Sequence, residues 1–401
     1  MGHQRKSERD HHVSHGVSGD IRIVEVRGRT DIRRFLDLPH RIYRDDPHWV
    51  APLRREVRKL IDPKANPFFE HGEAALWLAQ RGDEVVGRVS AQINHLHLDI
   101  HKDATGNFGF LEAVDDPTVF AALLGAAETW LRRRGMRRVL GPYSLSINDE
   151  IGVLIKGFGE PPMLGMAYSA PYYASRIEAA GYRKAMDAHA FRLEVRGEAL
   201  RELDRHDRVT GRMLKDQRFR VRPIDMRRFE EEMRLAIDVY NDAWSENWGF
   251  VPATEEEVKH LIEMVRPIII PELVLLGEVD DQVDAIFISI PNLNEMITDL
   301  DGRLLPFGWA KLLWRLKMRA FASGRVLLAG VRKIHRQSPI STGLISWMLS
   351  ETLRVGRAHG FHWAELSWVL ESNPRSISLC QRAGGKLYKT YRIYEKPLDP
   401  S

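Results

Sequence analysis

The sequence predicts an α+β protein built from two similar halves in tandem, each a sheet flanked by helices. The chain has 401 residues, which is long enough for two domains. The segment IYRDDP around Tyr43 returns as VYNDAW around Tyr240, 197 positions later. In both places the chain continues with two apolar runs split by an acidic turn, and then with a helical pattern. One order of elements is therefore used twice.

The composition is that of a globular protein with a sizeable core. Hydrophobic residues make up 44% and charged residues 28%, and 59 Lys and Arg against 55 Asp and Glu leave a net charge of +4. This balance does not favour a nucleic acid as a specific partner, and no apolar run approaches the roughly 20 residues that span a bilayer. The single cysteine, Cys380, excludes a disulfide framework and a Cys-rich zinc module. We expect no metal site and a cytoplasmic location.

The elements of the first half are predicted over residues 21–195. Residues 1–20 are polar, lack the apolar stretch of a secretory signal and are expected to form a disordered tail. The run LWLAQRGDEVVGRVSAQIN predicts a β-hairpin, and PTVFAALLGAAETWLRRRG predicts a helix with Gly135 as its left-handed C-cap. Residues 196–216 carry both charge signs and predict a solvated linker helix.

The second half, residues 217–401, repeats this order. LVLLGEVDDQVDAIFISIPN predicts the hairpin, STGLISWMLSETLRVGRAHG the helix ending at Gly360, and HWAELSWVLESN the next strand. The number of positions between matching residues of the two halves is 197 at the hairpins and changes later in the chain. These changes place an insertion of about 22 residues in the first half, within DEIGVLIKGFGEPPMLGMAYSA, and one of about 28 in the second.

The second insertion, residues 301–324, mixes aromatic and aliphatic residues with Lys and Arg. A basic amphipathic helix of this kind can lie on a membrane surface as a peripheral contact. It can also be a contact between domains or in a homodimer. The sequence favours this second interpretation, because a partner surface would hide the aromatic residues.

Several segments resemble the GNAT acyltransferase superfamily. The strand RVLLAGV, the basic loop RKIHRQSPI and the helix from Ser341 look like its acetyl-CoA segment, and ELSWVLESN followed by PRSISLCQRAGG looks like its next strand and helix. Over residues 21–398 the chain is similar to bacterial tandem-GNAT proteins of poorly defined activity. Four further segments belong to this resemblance: YRDDPHWVAPL, NPFFEHGEA, NWGFVP and YKTYRIYEKPL. The resemblance implies two tandem GNAT-like domains, each with a mixed, mostly antiparallel sheet.

The resemblance also implies an acyl-CoA site in the second half. In GNAT proteins the loop Gln/Arg-x-x-Gly-x-Gly/Ala binds the CoA diphosphate through its backbone N–H groups. The matching residues run from Arg336 to Ser341, but Pro339 replaces a glycine and removes one donor. The residues that the resemblance assigns to acetyl-CoA or another acyl-CoA are Gly330, Val331, Arg332, Arg336, Ser341, Thr342 and Asn373. The alternative is an ordinary basic loop with Ser341 as helix N-cap.

The first half differs at the matching helix start, where the chain reads Glu112-Ala113-Val114-Asp115-Asp116-Pro117. Carboxylates there stabilise the helix dipole themselves and would repel a diphosphate. We therefore expect the first domain to be degenerate and the second to bind the cofactor.

Two residues are candidates for the chemistry. Cys380 occupies the position where the resemblance places a tyrosine acid, and its alternative role is a small buried hydrophobe. Glu371 shares one face of its strand with Glu365 and is a candidate base; alternatively it caps the next helix together with Asn373.

Substrate contacts are expected from the first helices and the hairpin of the second half. Aromatic and amide side chains in loops suit a small-molecule pocket; here they are Trp244, Asn247, Trp248, Asn292 and Asn294. The tryptophans can instead close the core. Asn148, Asp149 and Glu150 in the first half form either a second pocket or a helix cap.

These patterns lead to three hypotheses. The first is an acyl-CoA-dependent N-acyltransferase that acts on a small amine-bearing substrate. The second is a catalytically silent ligand- or partner-binding protein, which the Pro339 and Cys380 departures favour. The third is aminoacyl transfer from tRNA, against which the small net charge argues.

Overall fold

The computed structural model describes residues 20–195, 216, 218–318, 321–336 and 338–398. The expected tail, except for Asp20, and nearly all of the predicted linker helix at 196–216 lie outside these residues. The strands are β1 (Ile21–Glu25), β2 (Gly72–Arg81), β3 (Glu84–Asn94), β4 (Thr105–Ala113), β5 (Arg138–Gly141), β6 (Val153–Lys156), β7 (Arg183–Glu194), β8 (Phe219–Pro223), β9 (Val274–Val279), β10 (Gln282–Pro291), β11 (Ser323–Val331), β12 (Trp363–Leu370) and β13 (Lys386–Pro397). The helices are α1 (Gly28–Ile42), α2 (Arg54–Leu60), α3 (His95–His101), α4 (Pro117–Arg132), α5 (Tyr173–Ala179), α6 (Phe229–Trp244), α7 (Glu255–Val265), α8 (Asn294–Ile297), α9 (Gly308–Met318), α10 (Pro339–Ala358) and α11 (Pro374–Arg382).

All strands join one continuous sheet in the order β1-β2-β3-β4-β5-β13-β7-β12-β11-β10-β9-β8, and β6 also pairs with β13. The pairs β4–β5 and β11–β12 are parallel and the others are antiparallel. The predicted mixed, mostly antiparallel α+β fold is therefore confirmed.

The two halves exchange their last strands. Strand β13, from the end of the second half, lies between β5 and β7, and β7, from the end of the first half, pairs with β12. Tyr394 lies opposite Gly141, and Leu366 lies opposite Phe191. Each half thus supplies the strand that continues the other half's sheet, which the internal repeat does not predict.

The repeated elements occur where the sequence places them. The hairpins are β2–β3 and β9–β10. Helices α4 and α10 are followed by Gly135 and Gly360, at φ of +81° and +89°, so both predicted left-handed C-caps are confirmed.

The helices of the two halves cover the same faces of the sheet. Helix α4 packs on Val139, and α10 packs in one cluster with Phe191. Helices α1 and α6 pack on the opposite face of the sheet, against strand residues such as Leu78 and Leu276. Along each strand, these residues alternate with the residues that face α4 and α10. A further apolar cluster on that second face includes Leu140, Ala190 and Tyr391 and covers the middle of the sheet. The shared face between α1 and α6 is therefore built from both halves.

Splitting the chain between residues 205 and 206 tests the strand exchange. We expect fragments 1–205 and 206–401 to associate when they are produced together, and to aggregate when produced apart, because each then exposes unpaired strand edges. The measurement is co-purification and size-exclusion chromatography, with the intact chain as control. Two separately soluble fragments that each unfold cooperatively would contradict the exchange.

Candidate active site

A wedge opens between β11 and β12 in the second half. The two strands pair only from Ser323 with Trp363 to Val326 with Leu366, and then diverge. Residues 327–330 and 368–369, beyond this point, are half-buried although they lie on central strands. Because diverging parallel strands free backbone N–H and C=O groups along the gap, the wedge can hold an extended ligand by strand-like hydrogen bonds.

The same place in the first half is filled. Strands β4 and β5 also part after three residue pairs, but the N–H of Ala113 donates to the Tyr173 hydroxyl at 3.1 Å, and the Tyr172 hydroxyl donates to the carbonyl of Ala113 at 2.8 Å. The backbone groups at the end of β4 are thus bonded to tyrosines of this half.

A single position distinguishes the two wedges. Strands β4 and β11 are both nine residues long, and their penultimate residues are Glu112 and Gly330. Glu112 accepts hydrogen bonds from Tyr43 at 2.7 Å and Tyr173 at 2.5 Å, and its Oε1 lies 3.9 Å from Nη2 of the buried Arg88. Burial raises the pKa of the Glu112 carboxyl, with the Arg88 charge opposing. This ion pair and the tyrosines plug the first wedge.

Gly330 leaves the second wedge without such a plug and lets α6 approach. A Cβ at Gly330 would lie 3.0 Å from Cβ of Ala243, tighter than ordinary packing. The neighbouring Val331 is buried in the core beneath α10. Of the backbone groups here, the carbonyl of Ala329 accepts the Trp244 indole N–H at 3.1 Å.

The starts of the two helices also differ. Asp116 is the N-cap of α4 and accepts the N–H of Thr118 at 2.8 Å, while Asp115 binds Arg176 at 2.7 Å. The N-terminus of α4 is thus satisfied by its own carboxylates. Helix α10 begins at Pro339 with Ser338 as N-cap residue, so the alternative that made Ser341 the N-cap is wrong.

The predicted diphosphate loop is bound to carboxylates of its own half. Arg332 lies 2.6 Å from Asp238 and 3.3 Å from Asp284, which also contacts His335 at 3.0 Å. The Arg336 guanidinium binds Glu246 and the carbonyl of Ala243. The N–H of Lys333 donates to Asp242 at 2.7 Å. These pairs make the loop close to neutral, contrary to the basic loop that the sequence alone indicates.

Little of the start of α10 remains for a phosphate. The N–H of Ser341 donates to the carbonyl of Ser338 at 3.2 Å. Thr342 is exposed in the first turn, and Lys333 is exposed in the loop before it.

A buried polar network lies under the wedge, on the shared face. Arg325 donates to the hydroxyl of Ser367 at 2.9 Å and lies 3.9 Å from the fully buried carboxylate of Glu365. Glu365 accepts hydrogen bonds from Ser367 and Tyr388. One face of β12 is thus polar, as the alternation predicts, and its polar groups satisfy one another.

Residues 157–170 of the first half, which we call the cover segment, lie over this network. Lys389 donates to the carbonyl of Pro161 at 2.5 Å, and Arg325 donates to the carbonyl of Leu164 at 2.8 Å. Burial lowers the pKa of the Lys389 amine to about 8. Met163 and Met166 of the cover segment pack in the central apolar cluster.

Glu150 lies beside the network and is the strongest candidate for an acid or base. Glu150 is an exposed residue, yet desolvation by the surrounding protein raises the pKa of its carboxyl to about 7, with the negative charge of Glu112 adding to the rise and Arg325 and Arg88 opposing it. The nearby Tyr391 hydroxyl is buried without a hydrogen-bond partner in the described part of the chain. Glu150 thus joins charges of both halves at the shared face.

Asp149, the residue before it, has an even higher pKa of about 8, which burial causes and Glu257 and Glu150 raise further. It accepts the N–H of Ser146 at 3.1 Å. The sequence marked this pair of carboxylates as part of a polar cluster but gave no sign that Arg325 of the second half acts on the charge of Glu150.

The two predicted catalytic residues lie elsewhere. Glu371 accepts the N–H of Asp187 at 3.0 Å and the amine of Lys184 at 2.7 Å, so its carboxylate is bound to β7. Cys380 is buried in the core beneath α10, where burial raises the pKa of its thiol to about 12 and keeps it protonated. Asn373, predicted beside the cofactor, is the N-cap of α11 and accepts the N–H of Ser376 at 3.1 Å.

The predicted substrate residues fall into two groups. Trp244 contacts Trp368 edge-on at a ring distance of 5.6 Å and lies at the wedge, where Asn247 donates its N–H to the carbonyl of Trp244. Trp248 is half-buried in the central apolar cluster.

The second group, Asn292 and Asn294, binds the cover segment. Asn292 accepts the N–H of Leu164 at 3.2 Å, and Asn294 donates to the carbonyl of Pro162 at 2.9 Å. Both therefore hold the first half's insertion against the second half.

The described residues contain neither a metal-binding cluster nor a membrane-spanning helix. In the described ranges, no His, Cys, Asp and Glu side chains form a group of three or more that could hold a metal ion. Within the same residues, no helix has both the length and the apolar character required to cross a bilayer.

Comparisons with known proteins point to one family. The chain is 40% identical over 386 residues to the bacterial ceramide synthase of Caulobacter vibrioides, covering 95% of this chain and 99% of that protein. It is 39% identical over 375 residues to the protein YghO of Escherichia coli, covering 92% and 94%. A solved tandem GNAT protein from the clavulanic acid biosynthesis pathway matches 95% of this chain and all of its own with a TM-score of 0.55 and 14% identity. No model of a protein family matches the chain.

The raised pKa of Asp149 makes stability depend on pH. Its folded-state pKa of about 8 exceeds the unfolded value of about 4. The stability that the protonated group contributes is therefore fully present below about pH 4, is lost progressively as the pH rises from about 4 to about 8, and changes no further above that. We expect Asp149→Asn, which cannot ionise, to be more stable than the wild type by about 1–3 kcal/mol at pH 9, with little difference at about pH 4.

Chemical denaturation across this pH range measures the difference. Asp99→Asn is the control, since that side chain is 76% exposed. Parallel pH curves for the wild type and Asp149→Asn would contradict the burial of this carboxyl.

Proposed function

Since the chain belongs to the GNAT superfamily and to the family of the Caulobacter bacterial ceramide synthase and YghO, we propose that it transfers an acyl group from an acyl thioester to the amine of a long-chain acceptor. The observation that carries the proposal is the difference between the wedges. One is plugged by Glu112 and tyrosines, and the other is open at Gly330. One acyl thioester would therefore bind per chain, in the second half.

The donor would lie along β11. The arm of the thioester is an extended chain with amide groups, which suits the wedge-facing backbone groups of residues 327–330 other than the Ala329 carbonyl, which binds Trp244. Val331 and Gly330 border this path, and Arg332, Arg336, Ser341 and Thr342 lie where the diphosphate of an acyl-CoA would reach the start of α10. Arg332 and Arg336 would exchange exposed carboxylates for phosphate oxygens.

Glu150 would act as the general base. A pKa of about 7 leaves much of the carboxyl ionised at neutral pH and able to accept a proton from the attacking amine. The amine nitrogen bonds to the thioester carbonyl carbon, the carbon–sulfur bond breaks, and the proton lost by nitrogen ends on the departing thiolate. The positive charge of Arg325 lies on the same side and would stabilise the developing oxyanion.

The acceptor follows from the apolar surroundings and from the relative's name. A ceramide is a long-chain amino alcohol acylated on nitrogen, so its synthase joins two apolar chains at one amide. The shared face here has Met163, Met166, Trp248, Trp368 and Tyr168 grouped at the middle of the sheet. This surface supports a long aliphatic acceptor rather than a small polar amine.

A silent acyl-CoA-binding protein is the second candidate. The ion pairs of the diphosphate loop and the missing donor at Pro339 favour it, since both weaken phosphate binding. It predicts no turnover with any donor.

The test is turnover with palmitoyl-CoA and sphinganine, followed by mass spectrometry of the N-acyl product. We expect Glu150→Gln to lower kcat/KM by about 100-fold or more, as loss of a general base does. In the wild type kcat/KM should rise with pH to a plateau above about pH 7, because the base must be ionised. The variant should lack this rise.

Glu371→Gln is the matched comparison, because it removes the same charge from the carboxylate bound to β7. We expect it to keep most of the activity. The reverse result, with Glu371 essential and Glu150 dispensable, would overturn the assignment. Palmitoyl-CoA that binds in calorimetry but is never consumed would favour the silent protein, and acetyl-CoA as the better donor would contradict the long-chain specificity.

A further inference from the structure

The second half's insertion forms a helix that exposes an apolar surface. No residue of α9 is buried. Leu305 and Phe307 before the helix and Leu313, Trp314 and Met318 on it are large apolar residues that are each more than half exposed. Such a contiguous group on the outside of a protein marks a binding surface.

The helix is firmly attached on its inner side. Leu312 and Leu316 pack on an apolar cluster with Phe321, and Asp299 binds Arg315 at 2.6 Å and also Lys311. At 100° per residue, Leu313, Lys317 and Trp314 share the opposite side. Helix α9 is thus apolar on both sides, although among the residues that the structure describes only its inner side has a partner.

The charges of the insertion point to one kind of partner. From Leu304 to Val331 the sequence has no acidic residue. Lys311 and Arg315 bind Asp299 on the inner side of the helix, whereas Lys317 lies on the outer side with the exposed apolar group. Lys317 is exposed among the apolar side chains. In a symmetric dimer contact centred on the outer side of α9, Lys317 of one copy would face Lys317 of the other. No carboxylate between Leu304 and Val331 would neutralise the two charges. Against an anionic bilayer, the lysine reaches the headgroups while Trp and Leu enter the interface.

We propose that α9, with Leu305 and Phe307, docks the protein on the surface of an anionic lipid bilayer. The proposal stands on this surface and not on acyl transfer. The docked face lies close to the shared face, because α9 packs on α8 and Asn294 of α8 binds Pro162 of the cover segment. The stretch before the helix is bound to the first half as well, through Asp301 with His40 at 2.9 Å and the carbonyl of Gly302 with the N–H of Arg54 at 3.1 Å. Both halves therefore hold α9 in place.

Co-sedimentation with vesicles tests the docking. Vesicles of phosphatidylcholine with about 30 mol% phosphatidylglycerol are compared with pure phosphatidylcholine. We expect the full chain to bind the anionic vesicles, and the triple variant Phe307→Ser, Leu313→Ser, Trp314→Ser to bind at least about tenfold more weakly, since binding scales with the apolar area inserted. Lys317→Glu should weaken binding to the anionic vesicles alone.

Met264→Ser is the matched control, because Met264 is 57% exposed on α7, outside this surface; it should bind as the wild type does. Circular dichroism and the melting temperature show whether the variants are folded, and turnover in detergent micelles should persist in the triple variant. Equal vesicle binding by wild type and triple variant would overturn the proposal. A wild-type dimer that the triple variant converts to monomers, without vesicle binding, would assign the surface to a contact between copies and overturn it as well.

Discussion

The exchange of β7 and β13 is the constraint on which the rest of the structure depends. Because β13 lies between β5 and β7, the pairing at the centre of the sheet joins a strand of the second half to two strands of the first. This fixes the two halves in register and brings α1 and α6 to one face. The charge of Arg325 in the second half acts on Glu150 of the first, and neither half alone provides both charges. The continuous backbone ladder keeps two weakly related halves at a fixed distance, as the proposed site built from both would require.

The two halves show how one position in a fold can close or leave open the gap between two diverging strands. In the first half, Glu112 and Arg88 are buried together, which costs desolvation of two charges. That cost is reduced by hydrogen bonds from Tyr43 and Tyr173 to the carboxylate. The result is a closed wedge whose backbone is satisfied internally. In the second half glycine occupies the equivalent position, and no carboxylate plug of this kind fills the wedge among the described residues. In the proposed function, the side chain at this position would separate a structural copy from a copy that binds the donor.

The sequence predicted the features that depend on neighbours in the chain. The hairpins, α4, α10 and the glycines after them follow from periodicity and cap chemistry, which act within a few residues. The strand exchange was not predictable, because β7 and β13 have the same alternating pattern whichever half they join.

The site residues were harder to predict for the same reason. Glu371 has the alternation expected of a cleft residue, but Lys184 and the N–H of Asp187 bind it on β7. Glu150 follows no periodic pattern, and the pKa of its carboxyl is raised chiefly by desolvation and also by Glu112, which lies far away in the chain, while Arg325 opposes the rise. Likewise, Asp238 on α6 and Glu246 just after it, which bind Arg332 and Arg336 of the diphosphate loop, lie about 90 positions earlier in the chain.

The neutral loop does not by itself prevent phosphate binding, because its ion pairs differ in strength. Glu246 and Asp238 are each 66% exposed, and pairs of this kind contribute only about 0–1 kcal/mol. A diphosphate carries more charge and more acceptor oxygens than either carboxylate, so it can displace them from Arg336 and Arg332. Asp284 is different, since it is 14% exposed and binds His335 as well as Arg332. In the proposed donor complex it would stay in place and hold the base of the loop, so that the two exposed carboxylates are the part of the loop that an acyl-CoA has to replace.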